Sequence, residues 1–218
     1  MEHTIIEKGY HKRETCGSCN GSDFKTILDL GTVPLAGYFP SEDQMGVESK
    51  YPLSLLVCID CKLTQTDSVI NPKLLFEDYR YLSSVGLTNH FTEVANILDE
   101  KYDVSGKTIL EIGCNDGVLL EPLSKLGAKV EGVDPAGNVV KLATDKGLKV
   151  YNDYFNEHTF GTDEFKNKYS LVISNNTFAH IIDIQSVIRG INHVLNPNGD
   201  FIFEVHYLGK IIEEMQYD

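Results

Sequence analysis

LEIGCNDG, running from Leu110 to Gly117, joins the end of an apolar strand to a short loop bounded by glycines. The strand begins near Lys107 in KTILEIG, and a helix follows from about Val118 to Lys125. Going outward, the same rhythm repeats. AKVEGVD reads as a second strand, with a helix from about Gly137 to Lys146, and LKVY as a short third strand. YSLVISNN is a fourth strand, followed by a helix from about Ile184 to Leu195. NPNGDFIFEVH is a turn and a fifth strand. Strands that alternate with helices imply right-handed crossovers and a parallel sheet, an α/β architecture.

Upstream, Phe91, Val94, Ala95 and Leu98 recur at helical spacing, with Thr88 or Asn89 as candidate caps. Residues 14–70 hold turn formers and short apolar runs, which read as loops and short strands. No repeat or low-complexity stretch is present. The expected organisation is a small module over 1–70, a helical linker over 71–104 and a ligand-binding α/β domain over 105–218.

The chain has 218 residues, 42% of them apolar, enough for one or two small domains with a real core. Thirty-two acidic against 19 basic residues leave a net charge of −13, which argues against a nucleic-acid groove. No apolar run approaches the ~18–20 residues that span a bilayer, and Met1 to Arg13 lacks the apolar core of a signal peptide. The expectation is a cytoplasmic protein with no membrane partner, whose five cysteines stay reduced.

Four of those cysteines fall into pairs, Cys16 with Cys19 and Cys58 with Cys61, separated by 38 residues. Two residues between thiols let both reach one tetrahedral ion at ~2.3 Å, so the pattern points to zinc. Gly17 and Gly21 are the expected sources of the tight backbone. Four thiolates leave no open position, which makes the role structural rather than chemical. The long gap leaves room for a small sheet or a substrate-facing loop such as GTVPLAGYFP. Cys114 stands apart as a small packing residue.

The loop Gly113-Cys-Asn-Asp-Gly117 does not fit the G-x-G-x-x-G spacing of dinucleotide sites. It resembles the E-x-G-x-x-x-G loop of S-adenosylmethionine-dependent methyltransferases, with Glu111, Gly113, Asn115 and Gly117 as cofactor-binding candidates. Asp134 ends the second strand ~20 residues on, where a carboxylate accepts ribose hydroxyls; the alternative is a helix-capping aspartate before Pro135. After the third strand, Asp153 could meet the adenine amino group, and Tyr154 or Phe155 its face; the alternative for Asp153 is a turn residue. Asn175, closing the fourth strand, completes the candidate set.

The Cys16/Cys19 pair, LDLGTVPLAGYF, YPLSLLVCIDC, LTQ, YRYLSS, LEIGCNDG, NNTFAHI and FIFEVHYLG stand in the order found in sugar-nucleotide C-methyltransferases. The resemblance covers nearly the whole chain. It implies a class I methyltransferase sheet preceded by a zinc module, with S-adenosylmethionine and Zn2+ as cofactors and a nucleotide-linked 4-keto deoxysugar as substrate. It implies deprotonation beside the ketone and attack of the enolate carbon on a methyl group. His180 matches an active-site histidine of the family, and Tyr79 an active-site tyrosine, with Tyr81 as its alternative and His206 and Tyr207 as further candidates near the same edge. Arg80, Arg189 and Lys210 are candidate cations for a diphosphate. Family members continue with a further tyrosine and histidine and have seven strands, of which five are legible here. The chain is therefore expected to be a fragment of a longer enzyme, or a short chain completed by a partner. The competing functions are methylation of oxygen or nitrogen on another small acceptor, and a non-catalytic zinc and cofactor-binding module. Oligomeric state is not encoded legibly.

Overall fold

A computed structural model describes residues 9–37, 40–76 and 79–215. The chain divides into two compact units, Met1–Tyr81 and Leu82–Asp218.

In the first unit, β1 (Tyr10–Lys12), β2 (Phe24–Pro34), β3 (Lys50–Cys58), β4 (Thr64–Thr66) and β5 (Ser68–Ile70) precede a short helix, α1 (Pro72–Phe76). β1 pairs antiparallel with β5, and β2, β3 and β4 form a second antiparallel sheet in that order. β2 and β3 have 11 and 9 residues, so the strands here are longer than the short runs suggest. Register slips between Thr26 and Leu28 and between Asp29 and Thr32 bend the pair, which lets strands of that length twist. In the expected substrate-facing loop, Tyr38 and Phe39 lie outside the described residues.

The second unit runs α2 (Ser84–Tyr102), β6 (Thr108–Ile112), α3 (Leu120–Lys125), β7 (Lys129–Val133), α4 (Gly137–Asp145), β8 (Lys149–Tyr151), β9 (Tyr169–Asn175), α5 (Ile184–Val194), β10 (Leu195–Glu204) and α6 (Leu208–Glu213). All five strands pair in parallel in the order β10-β9-β6-β7-β8. The chain winds outward from β6 to β8, then returns to β9 on the other side. The crevice between β6 and β9 is thus the topological switch point, where ligands bind in open α/β sheets.

Strand alternation builds two cores. Ile109, Leu171 and Ile173 face Phe91, Ala95 and Leu98 of α2 with Leu119 and Leu123. Leu110 and Val172 face the other way, against Phe155, Phe160 and Phe165 with Val187 and Ile191 of α5. The helix expected within the linker over 71–104 therefore packs into the second unit, because its apolar stripe covers the sheet. Its start also differs: Val85 and Gly86 are non-helical, and Thr88 lies inside the helix, its hydroxyl donating to the Ser84 carbonyl at 2.9 Å rather than capping. The Asn-Pro-Asn-Gly turn appears as a register slip within β10 between Leu195 and Asp200, held by Asn198 N–H donating to Asn196 Oδ1 at 3.0 Å. Among the described residues no helix is long and apolar enough to cross a membrane.

Candidate functional site

The two cysteine pairs adopt the same backbone turn. Cys16 N–H donates to the Gly21 carbonyl (2.8 Å) and Asn20 N–H to the Cys16 carbonyl (3.1 Å). Cys58 N–H donates to the Leu63 carbonyl and Lys62 N–H to the Cys58 carbonyl, both at 3.0 Å. The left-handed residues are Asn20 (φ 61°) and Lys62 (φ 66°), not the glycines expected to supply the tight backbone. Gly21 serves differently, since a Cβ there would stand 2.1 Å from Asp60 Oδ2. The four Sγ atoms lie within 4.8 Å of one another, with Cys16–Cys61 and Cys19–Cys58 each 3.6 Å apart. A tetrahedron of ~2.3 Å bonds has edges of about 3.8 Å, so this donor set fits Zn2+. All five cysteines are free thiols, and Cys114 is buried in the second unit.

In the second unit, Gly113 takes φ +75° and Gly117 φ +78°. The space above Gly113 is filled by Thr177: a Cβ there would sit 2.1 Å from its Oγ1. The missing Cβ of this glycine thus makes room for a side chain, for which the sequence carries no signal. A Cβ at Gly117 would meet Leu148 Cδ1 at 2.3 Å. Gly113→Ala should lower stability by about 1–3 kcal/mol through the backbone alone, and more through Thr177. Thermal denaturation reads this, and an unchanged melting temperature would refute it.

Asp134 anchors the loop. Its Oδ2 accepts from Asn115 N–H and its Oδ1 from Ala136 N–H, both at 2.9 Å. Burial raises its pKa, and those two donors partly offset the effect. Asn115 is left-handed (φ 49°), and its Oδ1 accepts from Ser83 N–H (3.2 Å) and Asp116 N–H (2.8 Å). Its side chain thus orders the loop and the entry to α2. Glu111, at 3% exposure, is pushed well above the usual carboxylate range by burial and then by Asp134; Asp116 adds to this. Asn175 Nδ2 has no hydrogen-bond partner among the described residues, although its amide comes near enough to Glu111 to favour the charged form.

Glu111 Oε2, Asp116 Oδ1 and Ser174 Oγ are likewise buried and unpartnered among the described residues. Orphaned polar atoms of this kind call for a ligand or water. Three buried carboxylates beside the switch point suit a cationic ligand, and S-adenosylmethionine carries a sulfonium and an ammonium. Asp116 was not among the sequence candidates, because an aspartate inside a loop looks like an ordinary turn former. At the β8 end, Asp153 is exposed and accepts from Tyr154 N–H at 2.7 Å. Phe155 is buried against Phe160 at 4.7 Å between ring centres, so it does not offer a face to a ligand; Tyr154, 38% exposed, still can.

A family described as "Methyltransferase domain" has a model that matches residues 87–217. The chain belongs to this methyltransferase family. Its methyltransferase domain is preceded, over residues 16–76, by a match to a family described as "Putative zinc binding domain". The chain is similar to C-methyltransferase NovU of Streptomyces niveus, 32% identical over 212 residues that cover 94% of this chain and 50% of that protein. It is also similar to a ubiquinone biosynthesis O-methyltransferase of Azorhizobium caulinodans, 33% identical over 120 residues, 53% of this chain and 46% of that one. It spans about half the length of these curated relatives. In structure, the methyltransferase domain shares its fold with plantazolicin methyltransferase BpumL, at TM-score 0.51 and 14% identity over 61% of this chain and 53% of that one.

In this methyltransferase domain, His180 closes a 3-10 turn, Phe178–His180, just beyond β9. The residue is exposed, yet the protein beside its ring lowers its pKa, and His206 lowers it further. Its neutral form is therefore available as a base near neutral pH. Tyr79 belongs to the first unit, where its ring lies 6.1 Å from Phe76 and 6.4 Å from Tyr81. Of the candidate cations, Arg189 is held by Glu157 through bonds of 2.6 and 2.7 Å, and Lys210 lies 3.3 Å from Glu213.

Proposed function

We propose that the chain acts in C-methylation of a nucleotide-linked 4-keto deoxysugar, with S-adenosylmethionine as methyl donor. The observation that carries this reading is the breadth of the NovU match, 94% of the chain, so that it includes residues of both units. S-adenosylmethionine, when bound, supplies an electrophilic methyl group. Asp134 would hold the ribose and Asp153 the adenine amino group. Glu111, Asn115, Asp116 and Asn175 would shape the charged end of the pocket. His180 would accept the proton from the carbon beside the ketone, leaving an enolate, and Tyr79 would hydrogen-bond the sugar or the enolate oxygen. The reducing cytoplasm suits its free cysteines, and its acidic surface favours neither nucleic acid nor an anionic membrane.

A second reading, O-methylation of another small acceptor, draws on the ubiquinone-type relative, whose match covers 53% of the chain. Release of carbon-bound deuterium separates the two. With a 4-keto nucleotide sugar deuterated beside the ketone, C-methylation gives up a deuteron to the solvent as the methyl group replaces it, and O-methylation leaves the deuterium on carbon. His180→Ala should keep cofactor affinity while cutting turnover by roughly 100- to 10,000-fold. Methyl transfer with all of that deuterium retained would overturn the carbon reading. Cofactor binding with neither deuterium release nor transfer would point to a non-catalytic module.

A further inference from the structure

We propose that Gln65 is a positioning residue for the metal held by the four cysteines. Both ends of its amide are used on the first knuckle. Gln65 Nε2 donates to Cys16 Sγ at 3.3 Å, and Gln65 Oε1 accepts from Gly17 N–H at 3.1 Å. Gln65 stands on β4 in register with Leu56 of β3, and β3 ends at Cys58 of the second knuckle. The side chain therefore ties the first cysteine pair to the hairpin that carries the second, across 49 residues of chain. Arg13 braces the same strand, its Nε donating to the neighbouring Thr66 carbonyl at 3.0 Å.

The chemistry selects an amide. Four thiolates around a divalent ion carry a net double negative charge, and N–H donors to sulfur disperse it. Ser18 N–H also donates to Cys16 Sγ, at 3.4 Å, so this sulfur collects donors from its own knuckle and from β4. A carboxylate at position 65 could accept from Gly17 but could not donate, and it would add charge beside the thiolates. An aliphatic side chain would do neither. Gln65's role is independent of which acceptor is methylated.

The test uses the full chain, with zinc affinity read by competition against a chromophoric chelator and the ligand field read by the absorption of the cobalt-substituted protein. Gln65→Leu, which keeps the bulk, and Gln65→Ala should each weaken zinc binding by about 10- to 100-fold. Gln65→Glu should weaken it further. At saturating cobalt the sulfur-to-metal charge-transfer bands should shift in all three, because that spectrum reports sulfur donation whatever the affinity. Thr64→Gly controls for general loosening of β4, and it should leave the cobalt bands in place. Wild-type affinity and spectrum in the leucine variant would reduce Gln65 to packing and overturn the assignment. The same spectral shift in Thr64→Gly would overturn it too.

Discussion

Replacing Asp134 with alanine is expected to weaken S-adenosylmethionine binding by roughly 100-fold or more while the sheet stays folded. Two effects combine. The carboxylate joins the loop after β6 to the end of β7 by accepting from Asn115 and Ala136 N–H groups. Its loss frees a loop whose left-handed Asn115 and Gly113 need outside support. The same carboxylate is the acceptor we propose for the ribose hydroxyls, and a charged hydrogen bond contributes about 1.5–3 kcal/mol. Asp134→Asn keeps one acceptor oxygen and should fall between the two. Calorimetric titration of the three proteins, with melting curves as the folding control, measures this. Equal affinity in all three would remove Asp134 from the cofactor site and leave it as a loop anchor.

The second large effect concerns Glu131, which sits on β7 away from any candidate chemistry. Its carboxylate accepts from Lys149 Nζ at 3.0 Å, Tyr151 Oη at 3.0 Å, Lys168 Nζ at 2.8 Å and Tyr169 Oη at 2.7 Å. The side chain is 12% exposed and Lys168 24%, so most of these bonds knit β7, β8 and β9 with little screening, while the bond from Lys149, 56% exposed, is screened more. Burial works against ionisation, but the bonds from Lys168, Tyr169 and Lys149 outweigh it and bring the carboxyl to about 2 from an ordinary 4.5. A folded pKa below the unfolded one means that the charged group stabilises fully above about pH 4.5 and loses that contribution as the pH falls to about 2. Glu131→Gln should therefore cost roughly 2–3 kcal/mol at neutral pH. The gap between wild type and variant should close as the pH falls through that window. Melting temperatures measured against pH decide the matter, and a gap that does not change with pH would refute the charge-based account.

Much of the cofactor half was legible because its signals are local. Short apolar runs alternating with helical stretches marked all five parallel strands near their observed limits, such as Lys129–Val133 and Tyr169–Asn175. The spacing within each cysteine pair announced a metal knuckle, and the four sulfurs do converge. The two glycines that bound the loop in the sequence, Gly113 and Gly117, both adopt left-handed backbone.

What remained hidden depends on which distant residues meet. The stripe of Phe91, Ala95 and Leu98 showed a helix but not the surface it covers, so its place in the second unit's core became visible only with the sheet beneath it. Phe155 looked available to a ligand until Phe160 was found packed against it. Thr177 over Gly113, Gln65 on Cys16 and the four donors around Glu131 each join residues far apart in the chain. By itself the sequence determined which elements form and which residue types can bind a cofactor or metal, because backbone sterics and side-chain period act over a few neighbours. Only the tertiary structure decided which buried polar groups are satisfied and which are left for a ligand, because that depends on the order in which the strands lie side by side.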